Sequence, residues 1–248
     1  MENKFRLTVE ENIFVAKRNI VDYIWKSARL EGINVTFPQT YAIVEKAKVT
    51  GVDVGDILKI TNLKHAWQTV FDTINEPLTL DDICRIHADV ARDETLMWSK
   101  LRTGTVYISG TEYVPPIPTK ESANAILEEV QAIQSPTERA IVIMFKLMKA
   151  QLFWDGNKRT SMLAANKLMI QNGCGIISVP NEKLEEFNEI LCDYYTNDTL
   201  DKAVNFVYDE CIDGIDFRLQ EQLEEEKQQT ENDIFDYDDP EEDLGMKF

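Results

Sequence analysis

The chain has 248 residues, 44% of them hydrophobic and 9% aromatic, enough for one sizeable core or a core with a small lobe. A formal net charge of −18 argues against nucleic acid as a partner, because backbone binders bring excess Lys and Arg to phosphates. The dispersed cysteines (Cys84, Cys174, Cys192, Cys211), with only His65 and His87 beside them, argue against structural zinc and a disulfide scaffold.

The N-terminus has no apolar signal-type region, and no apolar run approaches membrane-spanning length. A reducing cytoplasm, with no membrane partner, is the expectation. Apolar residues at helical spacing predict a first helix over about Ile13–Ala28. Further helices are expected at about Pro38–Lys48, Gly55–Ile74 and Leu80–Asp93. In the last of these, Leu80, Ile83, Ile86, His87 and Val90 share one face, and Asp81 and Asp82 suit the first turn. Thr105–Val114 reads TVYISGTEYV, two short β-prone runs around Ser109-Gly110, followed by Pro115-Pro116. That is a hairpin signal, too small for a sheet domain, and reads as a flap on a helical body. Helices resume at about Lys120–Gln134, Pro136–Ala150 and Asn157–Asn172, the last stopped by Asn172-Gly173. Two more fit Glu182–Tyr194 and Leu200–Cys211. From Asp216 onward the chain carries a net charge of −10, leaving −8 for the rest, and this stretch reads as a flexible acidic tail.

The segment Lys149–Met162, KAQLFWDGNKRTSM, bears the chemistry. One helix ends near Gln151, Asp155-Gly156 supplies a turn, and a second helix opens with Asn157, Lys158 and Arg159. Backbone N–H groups at such a turn form an anion nest, two cations add charge, and Asp155 is placed to hold Mg²⁺ against phosphates. A plain helix–turn–helix with solvating cations fits the same spacing.

LFWDGNKR resembles the signature of Fic (Fido-superfamily) proteins, HxFx(D/E)GNxRxxR. Leu101–Pro118 resembles the Fic flap with its Pro-Pro exit, and SARLEG, Ser27–Gly32, resembles the family's (S/T)xxxE(G/N) inhibitory-helix motif. The three occur in family order and span about Ile13–Cys211. The resemblance implies a mainly α Fic-fold helical bundle with a small β-hairpin flap. It implies an N-terminal helical region over 1–95 with the inhibitory helix at about 13–32, a core over 96–215, and the tail from 216 to 248. It implies ATP and Mg²⁺ as cofactors and a protein target docked on the flap through Thr105, Val106, Tyr107 and Ile108. Asp155 matches the metal ligand, and Gly156, Asn157, Lys158 and Arg159 occupy the phosphate-binding positions. Phe153 matches the buried aromatic anchor, Val106, Phe187 and Leu191 the contacts to the base, and Glu31 with Ser27 the inhibitory pair.

Three positions depart from the motif. Gln151 stands where the catalytic histidine belongs, and a carboxamide has no pKa near neutrality with which to take a proton. Lys158 replaces a glycine, as in the Doc branch, which is associated with phosphorylation of its target. Met162 replaces the last arginine, so Glu31 is expected to turn to Lys158 or Arg159, or to obstruct the phosphate site directly. Trp154 either stacks on a ligand or packs under the flap. Three functions follow: a divergent, weak adenylyltransferase restrained by Glu31; an inactive module that binds nucleotide or protein; and a Doc-like phosphotransferase. The acidic tail would suit a basic partner.

Overall fold

The computed structural model describes residues 1–95 and 97–217. By internal contacts the chain divides into Met1–Gly214 and Ile215–Phe248. All elements named below lie in the first unit, whereas the acidic run, apart from its first two residues, lies outside the described residues.

Ten α-helices dominate the described residues, and most begin where a side chain satisfies an orphan backbone N–H. Helix α1, Val9–Arg18, opens on a capping box between Thr8 and Glu11. Helix α2, Ile20–Leu30, follows after a break at Asn19, so the single helix expected from Ile13 is two. The apolar period runs through both, but Asn19 closes α1 with its N–H on Val15 O, which spacing alone does not reveal. Helix α3, Phe37–Val44, repeats the capping box with Thr36 and Gln39 and stops before Lys46, which takes a positive φ of 55°. Helices α4, Val54–Asp72, and α5, Leu80–Val90, are capped by Asp53 and Thr79. Helix α6 spans Lys120–Gln131, α7 Pro136–Ala150 and α8 Asn157–Gln171. A 3₁₀ turn, Asn181–Lys183, leads into α9, Leu184–Asn197, and α10 spans Leu200–Glu210.

The small sheet is not in the flap. Strand β1, Ile176–Ile177, pairs antiparallel with β2, Ile212–Asp213, placing Ile176 opposite Asp213 and Ile177 opposite Ile212. The flap turns at Ser109-Gly110 as expected, but its arms form no ladder.

The helices α7 and α8 make the most extensive helix–helix contact, and α8 serves two apolar clusters. Met162, Ala164, Ala165 and Met169 join one built on α7, α9 and α10, including Phe145 and Phe187 with ring centroids 5.9 Å apart. Leu163 and Ile170 join another built on α2, α4 and α5. Buried Lys167 of α8 pairs with Asp82 of α5 at 2.5 Å and bonds Thr73 at 3.1 Å. The segment joining α7 to α8 is thereby anchored from both sides. No helix among the described residues is long and apolar enough to cross a membrane.

Candidate functional site

The turn between α7 and α8 is shaped by its own side chains. Gln151 ends α7 in the left-handed region (φ 46°, ψ 61°), its N–H on Leu147 O. Gly156 is left-handed too (φ 72°), and a Cβ there would lie 2.9 Å from Val90 Cγ1, so glycine is needed for both torsion and space. Buried Asn157 closes the loop: its Oδ1 accepts from Phe153 N–H at 2.9 Å, and its Nδ2 donates to Phe153 O at 2.8 Å and to Gln151 Oε1 at 3.1 Å. The N–H groups of Asn157, Lys158 and Arg159 have no acceptor among the described residues, since the first intrahelical bond is Thr160 N–H to Gly156 O. They form the expected nest at the N-terminus of a 15-residue helix.

His87 of α5 holds this loop from behind. Its ring stacks on Phe153 at 3.7 Å between centroids. Nδ1 accepts the Ser99 N–H at 3.0 Å, which leaves Nε2 protonated to donate to Asp155 O at 3.0 Å. Burial pulls its pKa down to about 4, so it is neutral at pH 7 and fully bonded. His65 is exposed on α4. Neither histidine lines the cleft beside the loop. Gln151 does line it, but its Nε2 donates to Met148 O at 2.7 Å and its Oε1 is taken by Asn157. No proton acceptor with a near-neutral pKa stands where the signature histidine would.

That cleft encloses about 340 Å³. Of the residues assigned from sequence, Asp155, Asn157 and Lys158 line it from the loop, Val106, Tyr107 and Ile108 from the flap, and Glu31 and Leu191 from α2 and α9. Five others do not. Gly156 forms the turn itself, and exposed Thr105 faces away. Ser27 is buried in α2 and contributes its carbonyl to the Glu31 N–H, Phe187 is wholly core between Phe145 and Phe206, and Arg159 is wholly buried. Asn188, Cys192 and Tyr195, which the sequence reading did not single out, complete the α9 wall.

The flap is closed by one side chain instead of a ladder. Arg102, 1% exposed, donates to Gln151 O at 2.6 Å, to Gly104 O, and to Pro115 O and Pro116 O at 3.2 and 2.6 Å. Burial lowers its pKa from the ordinary value, but the guanidinium keeps its charge because arginine titrates far above neutrality. Between these anchors, exposure alternates from Thr105 to Ser109, with Val106 and Ile108 turned inward. No backbone group in that stretch bonds another backbone group. Trp154 fits beneath the flap: a Cβ on Gly104 would fall 2.6 Å from its ring.

Charges converge under the loop. Glu31 Oε2 lies 3.8 Å from Arg159 Nε, and Lys158 Nζ donates to Leu30 O at 3.2 Å. Arg159 forks onto Glu94, with Nη1 on Oε1 at 3.0 Å and Nη2 on Oε2 at 2.9 Å, and bonds Val90 O. Burial pulls against its charge, but the Glu94 bond and the fields of Glu31, Glu94 and Asp155 outweigh that and raise its pKa. Asp155 is half-exposed, with Oδ1 accepting the Gly156 N–H at 2.6 Å. Among the described residues no three His, Cys, Asp or Glu side chains converge on a metal position. One carboxylate beside a nest of free N–H groups does suit Mg²⁺, which takes few protein ligands and completes its shell with water or ligand oxygens.

Residues 77–169 match the model of the Fic/DOC family. Over 186 residues the chain is 29% identical to "Protein adenylyltransferase Fic" of Nematostella vectensis, covering 71% of this chain and 43% of that protein. It is 25% identical to "Protein adenylyltransferase fic-1" of Caenorhabditis elegans, covering 66% and 34%. The chain thus spans less than half the length of these relatives. A solved fragment of C. elegans Fic-1 superposes with TM-score 0.64 at 22% identity, over 79% of this chain and 61% of that one. A Fic domain containing signaling protein from Bacteroides thetaiotaomicron gives 0.65 at 18%, over 82% and 85%. Residues 77–169 thus resemble a Fic/DOC domain, and the fold and the order of the motifs agree with that match.

Proposed function

We propose that this protein binds ATP with Mg²⁺ at the N-terminus of α8 and docks a protein segment on its flap, with AMP transfer suppressed for want of a general base. The observation that carries this reading is the state of Gln151: it occupies the cleft wall as an amide already committed to Met148 O and Asn157. The unspent N–H groups of Asn157, Lys158 and Arg159 and the Lys158 ammonium receive phosphate oxygens. Asp155 holds the cation, whose role is to neutralise charge on the phosphates. Val106, Ile108 and Leu191 offer apolar surface to a base. The unladdered backbone of Thr105–Ser109 presents donors and acceptors for an extended target segment. Glu31 faces this site with a carboxylate, and its repulsion of phosphate weakens nucleotide binding.

Calorimetry and labelled-nucleotide transfer test the reading together. Glu31→Gly is expected to bind ATP·Mg²⁺ more tightly than wild type, and neither protein to transfer the α-labelled group. Adding Gln151→His to Glu31→Gly should raise transfer by about 10²–10⁴-fold, the usual contribution of a positioned general base. Folded protein that binds no nucleotide in either form would overturn the binding reading. Robust α-label transfer by Glu31→Gly with Gln151 intact would overturn the suppressed chemistry.

A further inference from the structure

We infer that Glu94 is a positioning residue that withholds Arg159 from the nucleotide, a second restraint on the phosphate site separate from Glu31. This rests on the nucleotide-binding reading above.

Arg159 is 1% exposed yet lies just behind the cleft floor, 3.8 Å from Glu31 and 3.7 Å from Asp155, both of which line the cleft. Three of its five N–H donors are spent on Glu94 and Val90 O. Its Nε has no hydrogen-bond partner, and neither has buried Glu31 Oε1 across from it. Glu94 is itself held from the other side, its Oε1 accepting from Asn62 Nδ2 at 3.0 Å and its side chain 5% exposed. One guanidinium thus serves three carboxylates, and the fork onto Glu94 is the only one of these contacts at hydrogen-bond distance. A charged bidentate bond of this kind is stronger than neutral ones and fixes the planar group's direction. A phosphate entering the cleft must compete with that fork. With Glu94 neutralised, the guanidinium's nearest remaining anions are Glu31, Asp155 and the phosphates. With Glu31 removed as well, the phosphates gain most.

The test is ATP·Mg²⁺ affinity by calorimetry in the Glu31→Gly background, with thermal unfolding to confirm the fold. Adding Glu94→Gln should tighten binding about tenfold, the worth of one new charge-assisted bond. Adding Arg159→Gln on top should abolish that gain. Loss of the Glu94 charge also lessens repulsion of phosphate, but that gain would persist when Glu94→Gln is added to Glu31→Gly/Arg159→Gln, where there is no guanidinium to release. Unchanged or weaker binding by folded Glu31→Gly/Glu94→Gln therefore overturns the inference, as does a gain that survives Arg159→Gln. If Glu94→Gln does not fold, Glu94→Asp, which draws the carboxylate back by one methylene, carries the same test with a smaller gain expected. Folded Glu31→Gly that binds no ATP at all overturns the nucleotide reading, and this inference with it.

Discussion

His87 shows how a titratable residue next to a candidate site serves structure. Its two ring nitrogens are spent on Ser99 N–H and Asp155 O, an arrangement that needs the neutral Nε2–H tautomer. Protonation would place a second donor against the Ser99 N–H. The folded pKa, about 4, lies below the ordinary 6.5. The folded state therefore binds fewer protons than the unfolded chain between those values. Stability is complete above pH 6.5 and falls as pH drops toward 4, by on the order of 3 kcal/mol across the window. Denaturant titrations at pH 7 and pH 4.5 should show this loss in wild type. A His87→Gln variant, which keeps a side-chain donor but cannot titrate there, should lose less over the same interval. The helical periodicity places His87 on the inward face of α5, so its burial was legible in the sequence. Its partners were not, because Asp155 and Ser99 are brought to it by the fold.

The flap is the element where pattern and structure diverge most usefully. The alternating TVYISG run indicates extended backbone, and the exposure of Thr105–Ser109 does alternate. A hairpin also needs a partner strand, and the second arm runs into Pro115-Pro116, whose nitrogens carry no hydrogen to donate. Arg102 closes the loop instead, a role no period in the sequence signals. Arg102→Met should strand four carbonyl contacts and lower stability by about 2–4 kcal/mol, as measured by chemical denaturation. Amide exchange across 103–114 should quicken with it, whereas unchanged exchange would show that the flap is held otherwise. Gly104→Ala places a methyl against the Trp154 ring, which must swing away. The ring is already 40% exposed, so the cost should be under about 1 kcal/mol, with a shift in tryptophan emission as the readout.

Across the whole molecule, the site's rigidity comes from α8, which belongs to both apolar clusters and carries Lys167 between Asp82 and Thr73. That ammonium is fully buried, so its carboxylate cannot be removed without leaving an uncompensated charge. Asp82→Ala should destabilise the protein by about 3–5 kcal/mol, and Asp82→Ala with Lys167→Met by clearly less. Equal losses in the two variants would show that the ion pair is not what holds α8. The mainly helical architecture was readable from 3.6-residue spacing and capping residues. The turn between α7 and α8 was readable because Asp155–Lys158 are consecutive in the chain. Glu94, Asn188, Cys192 and Tyr195 were not, since they converge from separate elements with no shared pattern.

The left-handed turn at position 151 also bears on how the chain could change. Non-glycine residues give up about 1–2 kcal/mol in that conformation, and β-branched side chains avoid it most. Substitution to glycine there would relieve the backbone but remove the amide that links Met148 O to Asn157. Histidine tolerates positive φ better than most residues. A two-base codon change is not required to pass from glutamine to histidine, since their codons differ only in the third letter. Gain of a proton acceptor is therefore a single short step for this loop, in mutational as well as conformational terms.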